Sequence, residues 1–320
     1  MSKTCLLITE RFEPTADCLL AELRRRDVPC LRWNLDQFPV AATLTYRASN
    51  DLFETEMSID GRKLGLQSVG SIWCRGFRPS GFAGGLQEED LKFVNDEAQR
   101  AMDALLSVMD VLWVNHPQCH VRANSKAAQL NMARRVGLEI PPTVITNDPQ
   151  EVRSFIARAD GPVVYKAHSQ TLNLEPGKAL YTGIVSEESL RQLDLIQATP
   201  GVFQKYVPKA YEVRATVVGD RIFAVRIDSQ ANPETAIDWR RRPFDVDEPI
   251  ELPADIQAKT HTLMRAFGLN YGAFDFIVTP DGRHVFLEVN PAGQYLWVEA
   301  ETKLPITTAL VDLLGRPCQA

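Results

Sequence analysis

Two neighbouring apolar stretches near the end of the chain carry side chains with oxygen ligands. The segment "FDFIVTPDGRHVFLEVNPAG" places Asp275 in the first stretch and Glu288 and Asn290 in the second. The intervening "TPDG" is typical of a tight turn, so the two stretches are predicted to form a β-hairpin. Alternate residues of a strand share a face, so Leu287 and Val289 are expected to face away from Glu288. The hairpin can therefore bring the three oxygen-bearing side chains onto one surface.

Carboxylates on strands that are otherwise apolar need partners, because burying an unpaired charge is costly. Oxygen-only ligands suit Mg²⁺, which is commonly held by one or two carboxylates together with substrate phosphates. The alternative is that Asp275 and Glu288 form ion pairs with nearby arginines. The sequence leaves both interpretations open.

The start of the chain indicates an α/β fold class. The strand "TCLLIT", a leucine-rich helix and the strand "VPCLRWN" follow one another, as in a parallel α/β unit. A second unit with a capped helix begins near residue 116, and a third unit with two hairpins begins near residue 208. The predicted domains are therefore 1–115, 116–207 and 208–320.

Composition excludes several classes of function. The 320 residues carry a net charge of −6, which argues against generic nucleic-acid binding, since that requires a broad basic surface. No apolar run approaches the roughly 20 residues that span a bilayer, and the first residues do not resemble a secretory signal. The six cysteines are scattered, which predicts reduced thiols and a cytoplasmic location.

Two lysines stand where a lone cation is unfavourable. Lys166 ends the apolar strand "PVVYK", and Lys126 lies in the first turn of a helix capped by Asn124 or Ser125. A cation at a helix N-terminus opposes the helix dipole unless an anion is near. Together the two lysines could bind a polyphosphate as point charges, or each could simply be solvated.

Between the second and third units runs "FQKYVPKAYEVR". The main chain of residues 204–207 could offer hydrogen-bonding groups to a flat base. Glu212 and Arg214 share a strand face, and an arginine beside a metal–phosphate site can stabilise charge during phosphoryl transfer. Alternatively, Glu212 and Arg214 form an exposed ion pair of little energetic consequence.

The order of these features resembles the ATP-grasp superfamily: "NSK", "VVYK", "FQKYV", E-x-R, then D…E-x-N. The resemblance implies an N-terminal pre-ATP-grasp α/β domain and two α+β subdomains with ATP between them. It implies roles for three groups of residues: phosphate or catalytic contacts by Lys126, Lys166, Glu212 and Arg214; adenine contacts by Gln204, Lys205, Tyr206 and Val207; and two Mg²⁺ ions held by Asp275, Glu288 and Asn290. The loop 168–182 would cover the phosphates.

The segments "LEVNPAGQYLWVE" and "SIWCRGFRP" resemble the microviridin-type ribosomal peptide maturases, the graspetide synthetases. One departure is Ala292, which is inserted where some members pass directly from proline to glycine; no loss of metal binding is expected from it. The family implies a homodimer and a precursor peptide with a leader and an acidic, Thr-rich core. Arg240 to Arg242, Arg75 and Arg78 could contact this core, although solvated arginines are the alternative.

The family chemistry uses ATP to phosphorylate Asp or Glu side chains of the peptide. Thr or Ser hydroxyl groups, or Lys amines, then attack to close ester or amide rings. An alternative is a ligase of amino acids or small amines, similar to glutathione synthetase or to protein-glutamate ligases. A third alternative is an inactive nucleotide-binding module, which the complete set of phosphate and metal residues disfavours.

Overall fold

The computed structural model describes residues 3–75, 85–168, 181–241 and 248–316. Arg78, Arg242 and residues 169–180 of the predicted phosphate-covering loop lie outside the described residues. The chain forms two compact units. Unit 1 comprises residues 1–120, 269–271 and 305–320, and unit 2 comprises residues 121–268 and 272–304.

The regular elements are numbered in chain order. The strands are β1 (Thr4–Thr9), β2 (Cys30–Asn34), β3 (Ala42–Ala48), β4 (Phe53–Ile59), β5 (Arg62–Gly65), β6 (Val69–Cys74), β7 (Leu112–Val114), β8 (Thr143–Thr146), β9 (Val163–Lys166), β10 (Gly183–Ile184), β11 (Gly201–Lys205), β12 (Tyr211–Val218), β13 (Arg221–Ile227), β14 (Glu248–Ile250), β15 (Tyr271–Val278) and β16 (His284–Asn290). The α-helices are α1 (Pro14–Arg25), α2 (Glu88–Ser107), α3 (Pro117–Ala123), α4 (Lys126–Arg135), α5 (Pro149–Arg158), α6 (Glu187–Arg191), α7 (Ala254–Phe267), α8 (Leu296–Thr302) and α9 (Ile306–Leu314). None of the helices among the described residues combines the length and the apolar character that spanning a bilayer requires.

Unit 1 is built on a parallel sheet with the strand order β2-β1-β6-β7. The apolar run of β1 is buried on both faces, as expected for a parallel strand covered by helices. Helix α1 begins at Pro14, and the Glu13 carboxylate caps it by accepting the Ala16 N–H at 2.6 Å. The predicted α/β class is confirmed by this sheet.

The dipeptide Asp60-Gly61 is a typical turn signal between antiparallel strands, and a hairpin turns there in unit 1. Both residues have positive φ, 49° and 74°, which is the geometry of a two-residue turn between twisted antiparallel strands. Strand β4 pairs with β3 on one side and β5 on the other. The buried side chains of this small sheet, such as Met57 and Ile59, belong to the core of unit 1.

The last helix joins unit 1 rather than completing the unit that precedes it in the chain. Helix α9 packs against α1 and β6, and the Ser71 hydroxyl donates to the Leu314 carbonyl at 2.7 Å. Arg26 and Asp312 form a further ion pair at 2.6 Å. This helix therefore closes unit 1, although it follows the carboxylate hairpin in the sequence.

Unit 2 contains two sheets, of which the first is antiparallel. Strands β8, β9, β10 and β11 form the first, in the order β10-β9-β11-β8. The order of the other is β14-β13-β12-β15-β16. The two sheets lie on either side of the predicted boundary at residue 207, while the boundaries themselves stay predictions. The hairpin β12–β13 turns at Gly219, which has a φ of 56°, as its sequence predicts.

The carboxylate hairpin is confirmed, with one irregularity. Asp275 pairs with Glu288, but Phe276 pairs with Phe286, so Leu287 is an extra residue in β16. The alternation of the sequence predicted that Leu287 faces away from Glu288, and this was wrong, because both residues line the same pocket. A β-bulge re-aims side chains in this way.

Three phenylalanines pack on the face of the hairpin opposite Asp275. Phe276 is fully buried, with ring centroids 6.0 Å from Phe274 and 5.9 Å from Phe286. We expect Phe276→Ala to lower the free energy of unfolding by roughly 3–5 kcal/mol, because the cavity cannot fully collapse. Denaturant titration measures this value. The matched control is Phe12→Ala, since Phe12 is 87% exposed; equal effects of the two substitutions would contradict the prediction.

Candidate active site

The two carboxylates of the hairpin face each other across the strands. Asp275 and Glu288 are paired residues, and Asn290 lies on the same face opposite Ala273. The Asn290 Oδ1 accepts the N–H of Ala292 at 3.0 Å. The structure thus brings the three predicted metal ligands to one face of the hairpin. Within the part of the chain that the structure describes, no group of three or more His, Cys, Asp or Glu side chains could hold a metal, so a cation here would need further oxygen ligands.

Both carboxylates are ion-paired in this structure. The Nη1 of Arg214 donates to Asp275 Oδ1 and Oδ2 at 3.0 and 2.9 Å, and Lys126 Nζ donates to Glu288 Oε2 at 2.5 Å. Arg214 also donates from Nη2 to the Gln294 carbonyl at 3.3 Å. The close approach of this guanidinium to the main chain requires a glycine at position 293, because a Cβ there would lie 2.6 Å from Nη2 of Arg214. The ion-paired arrangement that the sequence left open is therefore present.

The two carboxylates differ in protonation behaviour. Burial favours a raised pKa for Glu288, but Lys126, Arg240 and Lys166 outweigh it and lower the pKa to about 2. Burial raises the pKa of Asp275 above its ordinary value, although the Arg214 charge opposes the shift. Glu288 is consequently a permanent anion near neutral pH, whereas the charge of Asp275 depends on its cationic partners.

The two predicted lysines line the same pocket. Lys126 is the first residue of α4, whose N-cap is Ser125. Lys166 ends β9 and donates from Nζ to Gln204 Oε1 at 2.8 Å. Burial lowers the pKa of Lys166 to about 8, partly offset by the charge of Glu288. The pocket therefore holds cations that an anionic ligand would stabilise.

Residues 204–207 form one wall of the pocket, and their contact with adenine stays a prediction. Two of their main-chain donors already form hydrogen bonds within the protein. The N–H of Lys205 donates to the Pro142 carbonyl at 2.9 Å, and the N–H of Tyr206 donates to the Pro162 carbonyl at 2.8 Å. A base would thus have to use other main-chain groups of this wall, such as those of Val207.

Glu212 and Arg214 are both buried on β12, so the alternative of an exposed ion pair between them is wrong. Each has another partner, Lys209 for Glu212 at 2.7 Å and Asp275 for Arg214. Burial raises the pKa of Glu212, while Lys209 and Ser229 oppose the shift. Lys209 was not singled out in the sequence; the signal was a lysine in an otherwise apolar connection between two buried strands.

Arg240 points into the pocket and is held by Asp238. Its Nε and Nη2 donate to the two Asp238 carboxylate oxygens at 2.8 and 2.6 Å, and its Nη1 lies 3.9 Å from Glu288 Oε1. Asp238 also accepts the N–H of Thr182 at 3.0 Å. Asp238 was not predicted from the sequence, because a buried ion pair leaves no periodic pattern. The neighbouring Trp239 lines the pocket and packs against Trp297, with centroids 5.1 Å apart.

Arg75, a predicted peptide contact, lies in unit 1. Its side chain is only 7% exposed, and its Nε is 3.5 Å from Glu13 Oε1. The guanidinium also lies over the Trp73 ring, 5.8 Å from its centroid. Arg75 is thus anchored within its own unit, and its contact with a peptide stays a prediction.

The residues of the pocket fit a nucleotide with a divalent cation. The predicted residues that line it are Lys126, Lys166, Gln204, Lys205, Tyr206, Val207, Glu212, Arg240, Asp275 and Glu288. Two carboxylates on one strand pair offer hard oxygen ligands, and several cations on separate elements match a polyphosphate. The Nε of Arg214 is buried without a hydrogen-bond partner among the described residues, so this guanidinium retains donor capacity beside the carboxylates.

Comparison with known proteins gives concordant results. Residues 4–121 match the MvdD pre-ATP-grasp domain family. The macrocyclase MdnC from Microcystis aeruginosa MRC, solved bound with precursor peptide MdnA, is 30% identical; the alignment covers 97% of this chain and 99% of MdnC, with a TM-score of 0.86. The Chryseobacterium gregarium RiPP-associated ATP-grasp ligase, solved in complex with ADP and a leader and core peptide, is 28% identical, with coverages of 98% and 96% and a TM-score of 0.88.

A more distant relative is a probable alpha-L-glutamate ligase from Shewanella loihica, 24% identical over 65% of this chain and 69% of the relative. The alignment with MdnC covers nearly all of both chains at 30% identity. It therefore identifies the family of this chain more closely than the partial match to the glutamate ligase does. The protein belongs to the graspetide synthetases, the ATP-grasp ligases that mature ribosomal peptides.

Proposed function

We propose that this protein uses ATP to activate Asp or Glu side chains of a ribosomal precursor peptide and joins them to Thr, Ser or Lys side chains, so that macrocycles form. The observation that carries the proposal is the single pocket in which Asp275 and Glu288 meet the cationic side chains of Lys126, Lys166 and Arg240. The similarity to MdnC along nearly the whole chain supports a peptide as the substrate.

The roles follow from the positions of the side chains. Lys126 and Lys166 would bind the phosphates of ATP, and residues 204–207 would line the base. Asp275, Glu288 and Asn290 would hold Mg²⁺, which neutralises phosphate charge when bound; we propose two ions. Arg214, two strand positions from Glu212, would face the phosphoryl group as it moves.

The reaction needs no side-chain nucleophile. The peptide carboxylate attacks the γ-phosphorus of ATP, ADP leaves, and an acyl phosphate forms. A hydroxyl or amine of the same peptide then attacks the acyl carbon, releases phosphate and loses its proton. The chain contributes mainly positioning and charge neutralisation, which suits a pocket rich in paired charges.

An acidic peptide would be attracted by arginine side chains, of which Arg240 lines the pocket itself. We propose that Arg240, and Arg75 and Arg78 of the N-terminal part, attract an acidic core, while a leader segment of the precursor raises the effective concentration of the core. A homodimer and a cytoplasmic location complete the proposal.

A direct test uses the purified protein with a short peptide, rich in Thr and Asp or Glu, encoded by a neighbouring gene. With ATP and Mg²⁺, we expect ADP and a peptide that has lost the mass of one water for each ring. The alternative ligase of amino acids or small amines predicts another result, ADP release on addition of free amino acids with no mass loss from the peptide. Mass spectrometry and ADP measurement separate the two.

The lowered pKa of Lys166, about 8, predicts a pH dependence of nucleotide binding. Below this pH the lysine is already protonated, so the affinity for phosphate does not change with pH. Above it, binding requires proton uptake, and affinity falls by up to about tenfold per pH unit. In Lys166→Arg the side chain stays charged, so the decline disappears. Calorimetric titration with ADP measures both proteins; equal slopes in the two would contradict a phosphate contact by Lys166.

A further inference from the structure

Lys209 is a buried cation that the proposed phosphate and metal contacts do not use. Its side chain is 2% exposed. The Nζ donates to Glu212 Oε1 at 2.7 Å and to the Ile237 carbonyl at 3.2 Å. It therefore joins the first residues of β12 to the segment that leads to Asp238 and Arg240. All of these residues line the proposed ATP pocket.

Glu212 occupies an intermediate place in that pocket. It shares a strand face with Arg214, roughly 7 Å along β12, and Arg214 bonds Asp275 at the metal end. Glu212 also lines the same pocket as Tyr206 of the base wall. Since the ribose of a nucleotide lies between its base and its phosphates, Glu212 would lie beside the ribose of a nucleotide bound in the proposed orientation.

The chemistry of a ribose favours an ionised, fixed carboxylate. The two vicinal hydroxyl groups of the sugar are donors, and an ionised carboxylate only accepts hydrogen bonds, whereas a protonated one also presents a donor. Burial acts against the charged form of Glu212, and Lys209 opposes this effect by its charge and its hydrogen bond. The second bond of Lys209, to Ile237, fixes the ammonium itself and hence the orientation of the carboxylate.

We propose that Lys209 is a positioning residue that fixes the Glu212 carboxylate to accept the ribose hydroxyl groups, and thereby sets a preference for ribonucleotides over 2′-deoxyribonucleotides. The inference rests on the proposed ATP site. A purely structural role would show itself in the free energy of unfolding, which breaking a buried ion pair lowers, whereas a positioning role also changes the choice of nucleotide.

The test compares ADP with 2′-deoxy-ADP by calorimetric titration. We expect the wild-type protein to bind ADP roughly 10- to 100-fold more tightly, as for a hydrogen bond to a charged group. In Lys209→Met this ratio falls to within about threefold of unity, and Lys209→Arg restores most of it. The matched control is Lys259→Met, which removes a lysine paired with Asp255 on α7 and leaves the ratio unchanged.

Each result decides the matter. A folded Lys209→Met protein with wild-type selectivity overturns the role of Lys209 but leaves the proposed function intact. If Lys209→Met does not fold, Glu212→Gln decides instead, since it removes the charge and keeps the shape: lost selectivity supports the assignment, and retained selectivity overturns it. If the wild-type protein does not bind ADP at all, the result contradicts the proposed function and also the role of Lys209, which rests on it.

Discussion

Replacement of Arg214 by alanine is expected to reduce the rate of ring formation by roughly 10³-fold or more, the range found for arginines that stabilise phosphoryl transfer. Arg214 donates from Nη1 to both carboxylate oxygens of Asp275 and from Nη2 to the Gln294 carbonyl. The guanidinium is thus preorganised beside the carboxylates that would hold Mg²⁺. Because its charge matters most while the phosphoryl group moves, ADP affinity should change far less than the rate.

Loss of Arg214 also leaves Asp275 buried without its partner. Breaking a buried ion pair costs roughly 3–5 kcal/mol, although protonation of Asp275, whose pKa burial already raises, reduces this cost. Arg214→Lys separates the effects, because it keeps a cation beside Asp275 and loses the planar guanidinium, whose second nitrogen bonds the Gln294 carbonyl. We expect near wild-type unfolding temperature and a low rate for this variant. A folded Arg214→Ala protein with full activity would contradict the assigned role.

Glu288→Gln should reduce the rate of ring formation by at least roughly 100-fold. Even the mutation of a residue that only hydrogen-bonds a metal ligand typically lowers metal affinity or activity 10- to 100-fold. The wild-type Glu288 side chain stays ionised, with a pKa of about 2. The glutamine side chain has nearly the same shape but carries no charge. The variant should therefore lose the Mg²⁺-dependent gain in ADP affinity. Calorimetric titration of ADP with Mg²⁺ and with a chelator measures that gain directly.

A control for Glu288→Gln is Glu139→Gln, which removes a more exposed carboxylate paired with Arg283 in the same unit. Its rate and its Mg²⁺-dependent gain should both match those of the wild-type protein. If Glu288→Gln retained the gain as fully as this control, Glu288 would have no part in holding the metal.

The candidate site was predictable where its residues follow a local rule. Alternation along the hairpin and its turn placed Asp275, Glu288 and Asn290 on one face, as the strand register confirms. The helix cap at Ser125 and the apolar strand before Lys166 identified both lysines as unusual, and the structure places them in one pocket. Lys209 and Asp238 were missed, because a buried ion pair leaves no periodic pattern in the sequence.

The sequence alone determined the local elements: the parallel-strand start, the hairpin turns at Gly61, Gly219 and Gly282, and the shared face of the carboxylates. Turn chemistry and side-chain periodicity act over a few residues, so they can be inferred without the rest of the chain. Only the tertiary structure decided which charges meet. Lys126 and Glu288 are separated by 162 positions and Arg214 and Asp275 by 61. The bulge at Leu287 and the packing of α9 in unit 1 likewise depend on contacts between distant segments, which no local pattern encodes.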